Sequence, residues 1–190
     1  KKCITIRSDM FEYWSTLGLA YLLKNKFKDA VEAFLTSLEL KPGYSDALVA
    51  LGLTYNSMES WEEAVLTLKE ASLLVPDNYE VQKGLARSLM KLNRTEELEG
   101  VYLRMRELNP EDYSVLLYLG QIAFNRGQTD EALDLYRKAI EMDPNALMAW
   151  KVLAEALESL GLHDEARQAW DRQKEIVERL RKKQRMIGPI

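Results

Sequence analysis

The chain has one cysteine, Cys3, and one histidine, His163, among its 190 residues. A single cysteine excludes an internal disulfide framework and leaves the compartment open. Standing toward opposite ends of the sequence, the two also exclude a zinc site or a Cys–His dyad built from neighbours. No apolar run reaches the roughly 18 residues that span a membrane. Neither G-x-G-x-x-G nor G-x-x-x-x-G-K occurs, so no phosphate-cradling loop is available and no cofactor or metal is expected. An excess of positive charge is missing too. Lys and Arg number 26 against 30 Asp and Glu, a net charge of -4, so no nucleic-acid partner is expected. The first ten residues, KKCITIRSDM, read as a leader segment 1–10 and match neither a secretory signal nor a transit peptide. Because the sequence begins at Lys1, that mismatch carries no weight on destination.

What the sequence does contain is a period. Pro42, Pro76, Pro110 and Pro144 stand 34 residues apart. Ala30, Ala64, Ala132 and Ala166 keep the same beat, with Leu98 in the slot between them. So do Gly18, Gly52 and Gly120, completed by Ala86 and Ala154. A fixed spacing of this length implies a stack of identical supersecondary units, which works through its surface rather than through a catalytic pocket. At 47% hydrophobic and 29% charged, the chain can bury a continuous core along such a stack.

Residues 11–44 spell out one unit. Trp14, Leu17 and Tyr21, then Ala30, Phe34, Ser37 and Leu38, recur at helical spacing. Lys24-Asn25-Lys26 breaks the two runs, and so short a break folds them into an antiparallel pair. Asn25 tolerates the left-handed conformation that ends a helix, and Pro42 closes the second one. Helices approach to about 8–10 Å only where the crossing side chains are short, which nominates Gly18 and Ala30 as the crossing pair. Glycine inside a helix costs about 0.5–1 kcal/mol relative to alanine, so its return at Gly52 and Gly120 implies an offsetting packing benefit.

Trp14-x-x-Leu17-Gly18-x-x-Tyr21, then Ala30-x-x-x-Phe34 and Pro42, resembles the tetratricopeptide repeat signature. Leu51, Gly52, Tyr55, Ala64, Leu68, Ala71 and Pro76 repeat it. Leu119, Gly120, Gly127, Ala132, Tyr136, Ala139 and Pro144 do so again, followed by Trp150, Leu153, Ala154, Gly161, Ala166 and Trp170. The resemblance implies an all-α, right-handed superhelical α-solenoid of five antiparallel helix pairs. Its repeats would be 11–44, 45–78, 79–112, 113–146 and 147–180, with a basic helical tail at 181–190. The third is degenerate: Leu98 and Met105 stand where small residues belong, and Gln82 replaces an aromatic or leucine. Overpacking of this kind costs about 1–3 kcal/mol unless relieved, and Gly100 is the expected relief.

Carboxylate pairs offer little chemistry. Glu62-Glu63, Glu96-Glu97 and Asp130-Glu131 each precede the beat residue, where acids favour the positive end of a helix. His163 falls in the turn of the fifth unit and reads as a semi-exposed turn residue. No catalytic activity is expected.

The resemblance also implies a concave face lined by the first helix of each unit. Its ligand-facing slots are Ser15, Leu19 and Leu22; Val49, Leu53 and Asn56; Lys83, Arg87 and Met90; Leu117, Gln121 and Phe124; and Lys151, Glu155 and Glu158. Lys83, Arg87 and Lys91 are four apart and share one helical face, which invites an anionic partner. Some chaperone-binding members clamp a terminal carboxylate with Lys and Arg in these third-unit slots. Here Ser15, Leu19 and Leu53 replace the remaining Lys and two Asn, so recognition of an EEVD-type terminus is disfavoured. The expected partner is a protein or peptide whose amphipathic segment meets Leu19, Leu22, Val49, Leu53, Leu117 and Phe124, with an acidic group toward Lys83 and Arg87. The plainer alternative gives the leucines to inter-repeat packing and the basic trio to solvent.

Apolar residues continue past Trp170 at Ile176, Val177 and Leu180, predicting a final helix that runs to about Met186 before Gly188-Pro189. Its end is basic: Arg179, Arg181, Lys182, Lys183 and Arg185. That suits a helix C-terminus and a solubilising cap. The other expectations are self-association and contact with an acidic membrane surface. The chain thus reads as an adaptor, scaffold or assembly-factor module. The alternatives are a self-assembling scaffold, or the repeat portion of a larger protein whose other domain carries an activity.

Overall fold

The computed structural model describes residues 10–187, with side chains through residue 184. Cys3, most of the leader, Gly188-Pro189 and the side chain of Arg185 lie outside the described residues. The described residues form ten helices and no strands: α1 Phe11–Leu22, α2 Phe27–Leu40, α3 Ser45–Ser57, α4 Trp61–Leu74, α5 Tyr79–Lys91, α6 Thr95–Leu108, α7 Tyr113–Asn125, α8 Thr129–Met142, α9 Leu147–Ser159 and α10 His163–Ile187. Odd-numbered helices start every 34 residues from Phe11, and even-numbered ones every 34 from Phe27.

Local chemistry sets these limits. The residue that reverses the chain within each pair takes positive φ at Asn25, Glu59, Asn93, Gly127 and Gly161, again one beat apart. Asparagine and glycine adopt this conformation readily, whereas for Glu59 it costs about 1–2 kcal/mol. Glu59→Gly is therefore expected to raise the urea unfolding midpoint, for a net gain of about 0.5–1 kcal/mol once the looser unfolded chain is counted. Glu59→Ala, which keeps the strain, is expected to give no such gain. Among α1–α8, each even-numbered helix stops two residues before its proline. In the fifth unit Glu178 occupies the proline slot, nothing removes the next backbone donor, and α10 runs on to Ile187.

The chain forms two compact units, Lys1–Leu108 and Asn109–Ile190. In the first, α1 packs on α2, α2 on α3, and so on to α6, while α1 also touches α3 and α3 touches α5. Ala30, Phe34, Ala47 and Leu51 form one buried cluster, with Tyr21, Leu22 and Leu38 around it. In the second unit Tyr136, Leu153, Ala154, Leu157 and Ala166 anchor the core.

The beat glycines sit against large side chains of the second helix. A Cβ built on Gly18 would lie 2.5 Å from the Phe34 ring, one on Gly52 2.6 Å from Leu68, and one on Gly120 2.5 Å from the Tyr136 ring. The glycines thus make room for the large residue one turn beyond the beat alanine. Gly100 is reassigned, because a Cβ there would meet nothing within 4 Å and so relieves no crowding. Leu98 and Met105 are instead taken into the core on either side of buried Tyr102.

Acidic residues at the starts of even-numbered helices do more than face the helix dipole. Glu97 accepts from both Lys69 and Arg94, joining α4 to α6, and the Lys69 bond chiefly holds its carboxyl below the usual range. In the same slots of the second unit, Arg137 reaches Glu165 at 3.5 Å.

Candidate partner-binding face

Helices α1, α3 and α5 present their expected ligand-facing slots on neighbouring elements of the first unit. Leu19 is exposed, and Leu22, Val49 and Leu53 are half-buried. Lys83, Arg87 and Met90 are exposed on α5. Ser15 is buried. So is Asn56, at 3% exposure, where its side chain works inside the protein. Its Nδ2 donates to the Gly84 carbonyl at 2.8 Å, and the Ser88 hydroxyl donates to its Oδ1. Leu53 also contributes to packing between repeats: a Cβ on Gly84 would lie 2.8 Å from its Cδ2. The apolar part of the face is therefore Leu19, Leu22 and Val49, with Leu53 half committed to α5.

The basic part has structure of its own. Lys83 Nζ lies 3.5 Å from Glu80 Oε1, an exposed pair of small energetic consequence. The Arg87 guanidinium sits 5.8 Å and Lys91 Nζ 5.9 Å from the centroid of the Trp61 ring. At about 6 Å a cation is still attracted to an aromatic face, so Trp61 steadies two of the three basic side chains. Sequence reasoning missed Trp61. The available signal was a lone tryptophan in the slot that holds Phe27, Thr95, Thr129 and His163 elsewhere.

In the second unit Leu117 is buried within the core cluster, and Phe124 packs partly against it. Gln121 is exposed and donates to Asn125 Oδ1 at 3.0 Å. Lys151 pairs with Glu155 at 3.5 Å, and Glu158 accepts from Trp170 Nε1 at 3.0 Å. Burial, and secondly Glu155, pushes the Tyr136 phenol up to about 12. His163 is exposed as the first residue of α10. Among the described residues no helix is long and apolar enough to cross a membrane.

Two tetratricopeptide repeat family models match, one over residues 11–44 and the other over 83–146 and 119–174. The chain belongs to the tetratricopeptide repeat family. Its repeats form a protein-interaction module. It is 34% identical over 88 residues to a Drosophila melanogaster protein named as the BBSome complex member BBS4 homolog, a match covering 46% of this chain and 18% of that protein. The chain thus spans less than a fifth of that curated relative's length. Among solved structures it is similar to MamA, at 25% identity and TM-score 0.80 over 87% of this chain and 96% of that one. It is also similar in fold to YrrB, described as a TPR protein with an unusual peptide-binding site, at 22% identity and TM-score 0.81 over 92% and 90%. A MamA structure from Desulfovibrio magneticus RS-1 matches at 14% identity and TM-score 0.79 over 88% and 95%.

Proposed function

We propose that the α1–α3–α5 face captures an amphipathic protein segment, its apolar side on Leu19, Leu22, Val49 and Leu53 and its carboxylate toward Lys83 and Arg87. One observation carries the reading: exposed or half-exposed leucine and valine on α1 and α3 stand beside exposed cations on α5. An apolar strip next to a basic one suits a helix or extended peptide whose own faces alternate in that way. Arg87 held over Trp61 loses less freedom on binding than a loose side chain would. Leu117, covered by its own core, drops out of the expected contact set, and Asn56 and Ser15 contribute by packing the helices together. The likeness to a named complex member favours an assembly role for such capture.

The test is fluorescence anisotropy with two labelled amphipathic 15-residue peptides that differ only in glutamate or lysine at one position. The glutamate peptide should bind more tightly. Lys83→Glu with Arg87→Glu should weaken it by about tenfold, equivalent to ~1.4 kcal/mol, with an unchanged circular dichroism spectrum. Equal binding of the two peptides would remove the basic strip from the reading.

A further inference from the structure

The outer face of α4 breaks the rule kept by every other repeat. Leu66 and Leu73 lie seven residues apart on one helical face and are 71% and 83% exposed. In the other four repeats the Leu66 slot holds Glu32, Gly100, Asp134 or Gln168, and the Leu73 slot holds glutamate each time. Two leucines two turns apart in solvent, in slots that the other repeats fill with polar residues or glycine, mark a contact rather than scattered exposure. Glu62, Glu63 and Glu70 are exposed and flank them within roughly a quarter-turn of helix. None of these three is in an ion pair among the described residues, whereas Lys69 on the same helix is taken up by Glu97. The face is apolar in the middle and negative at its margins.

The end of α10 is its complement. Helices α2, α4, α6 and α8 stop at the slot of Ile176, so residues 177–187 of α10 overhang by about 16 Å. On this overhang Val177 is half-buried and Leu180 is 48% exposed, with exposed Arg181 and Lys183 to either side. Neither cation is in an ion pair among the described residues.

We propose that the α10 overhang of one copy lies along the outer face of α4 in a second copy. Leu180 and Val177 meet Leu66 and Leu73, and Arg181 and Lys183 meet the three glutamates. Donor and acceptor surfaces differ, so the contact is heterologous and propagates copies head to tail. An overhang this short buries less than the roughly 1,200 Å² of a standard interface, which makes the association weak and salt-sensitive.

Sedimentation velocity on the full chain across a concentration series, at low and at high sodium chloride, reads this out. The weight-average mass should rise with concentration at low salt and return to that of the monomer at high salt. Leu66→Glu/Leu73→Glu and, separately, Arg181→Glu/Lys183→Glu should each abolish the rise, because each removes one half of the contact. Mixing the two variants should restore association, stopping at a heterodimer, since each retains the half the other lacks. Lys83→Glu/Arg87→Glu should associate like the unaltered protein, which separates this contact from peptide capture. A monomer under every condition would overturn the proposal, even if that monomer bound phosphatidylserine vesicles through its basic end. So would self-association by both surface variants, or a mixture that stays monomeric.

Discussion

Phe34→Ala should lower the unfolding free energy of the first unit by about 3–5 kcal/mol, the usual cost of emptying an aromatic site in a closed core. Phe34 is fully buried and lies against Gly18, where an added Cβ would sit 2.5 Å from its ring. Gly18→Ala alone should therefore also destabilise, by about 1–3 kcal/mol, despite alanine's better helix propensity. The informative experiment combines them. Once the ring is gone the methyl has space, so Gly18→Ala in the Phe34→Ala background should become neutral or stabilising by up to ~1 kcal/mol. Urea unfolding of the two single variants and the double variant measures this coupling. Simple additivity would mean that Gly18 is required for something other than the ring.

Most of the fold was legible because its determinants are local. A proline that stops a helix, a left-handed residue that reverses the chain and a small residue at a crossing each act within a few positions, so a 34-residue beat exposes them all. Glu178 shows the same logic inverted: with proline absent from that slot, α10 continues as its apolar spacing predicts. What the sequence concealed depends on register between helices. A Cβ on Gly18 would meet the Phe34 ring first, a detail of register that spacing alone does not give. The role of Trp61 arises because α4 starts beside the exposed flank of α5, a proximity no spacing rule encodes. The face itself was half legible. The family resemblance supplied the slots, among them those of exposed Lys83 and Arg87, but slot number does not report burial. Ser15, Asn56 and Leu117 occupy slots equivalent to exposed ones and are covered all the same.

Asn56 makes that last point measurable. Gly84 carries no side chain, so the carboxamide of Asn56 can come within 2.8 Å of the Gly84 carbonyl while receiving the Ser88 hydroxyl. Among the described residues no buried side-chain nitrogen or oxygen is left without a partner, and the Ser88 hydroxyl has a second acceptor in the Gly84 carbonyl at 3.1 Å. Asn56→Ala should cost about 1–3 kcal/mol, from the two lost hydrogen bonds between α3 and α5 and the space the carboxamide vacates. Asn56→Asp should cost more at neutral pH, about 3–5 kcal/mol, because an ionised carboxylate cannot donate to the carbonyl and is charged in a buried site. Burial and the facing carbonyl oxygen both raise the folded-state pKa of that aspartate above its unfolded value. Stability of the variant should then be greatest below the unfolded aspartate pKa and fall as pH rises through the folded one, the sign required when the folded state holds the proton more tightly. Unaltered protein should vary far less over the same acid range, and Asn56→Ala should track it at a constant offset. If instead Asn56→Asp matched Asn56→Ala at every pH, the side chain would be reaching solvent. Asn56 would then belong with the ligand-facing residues rather than with the clasp between α3 and α5.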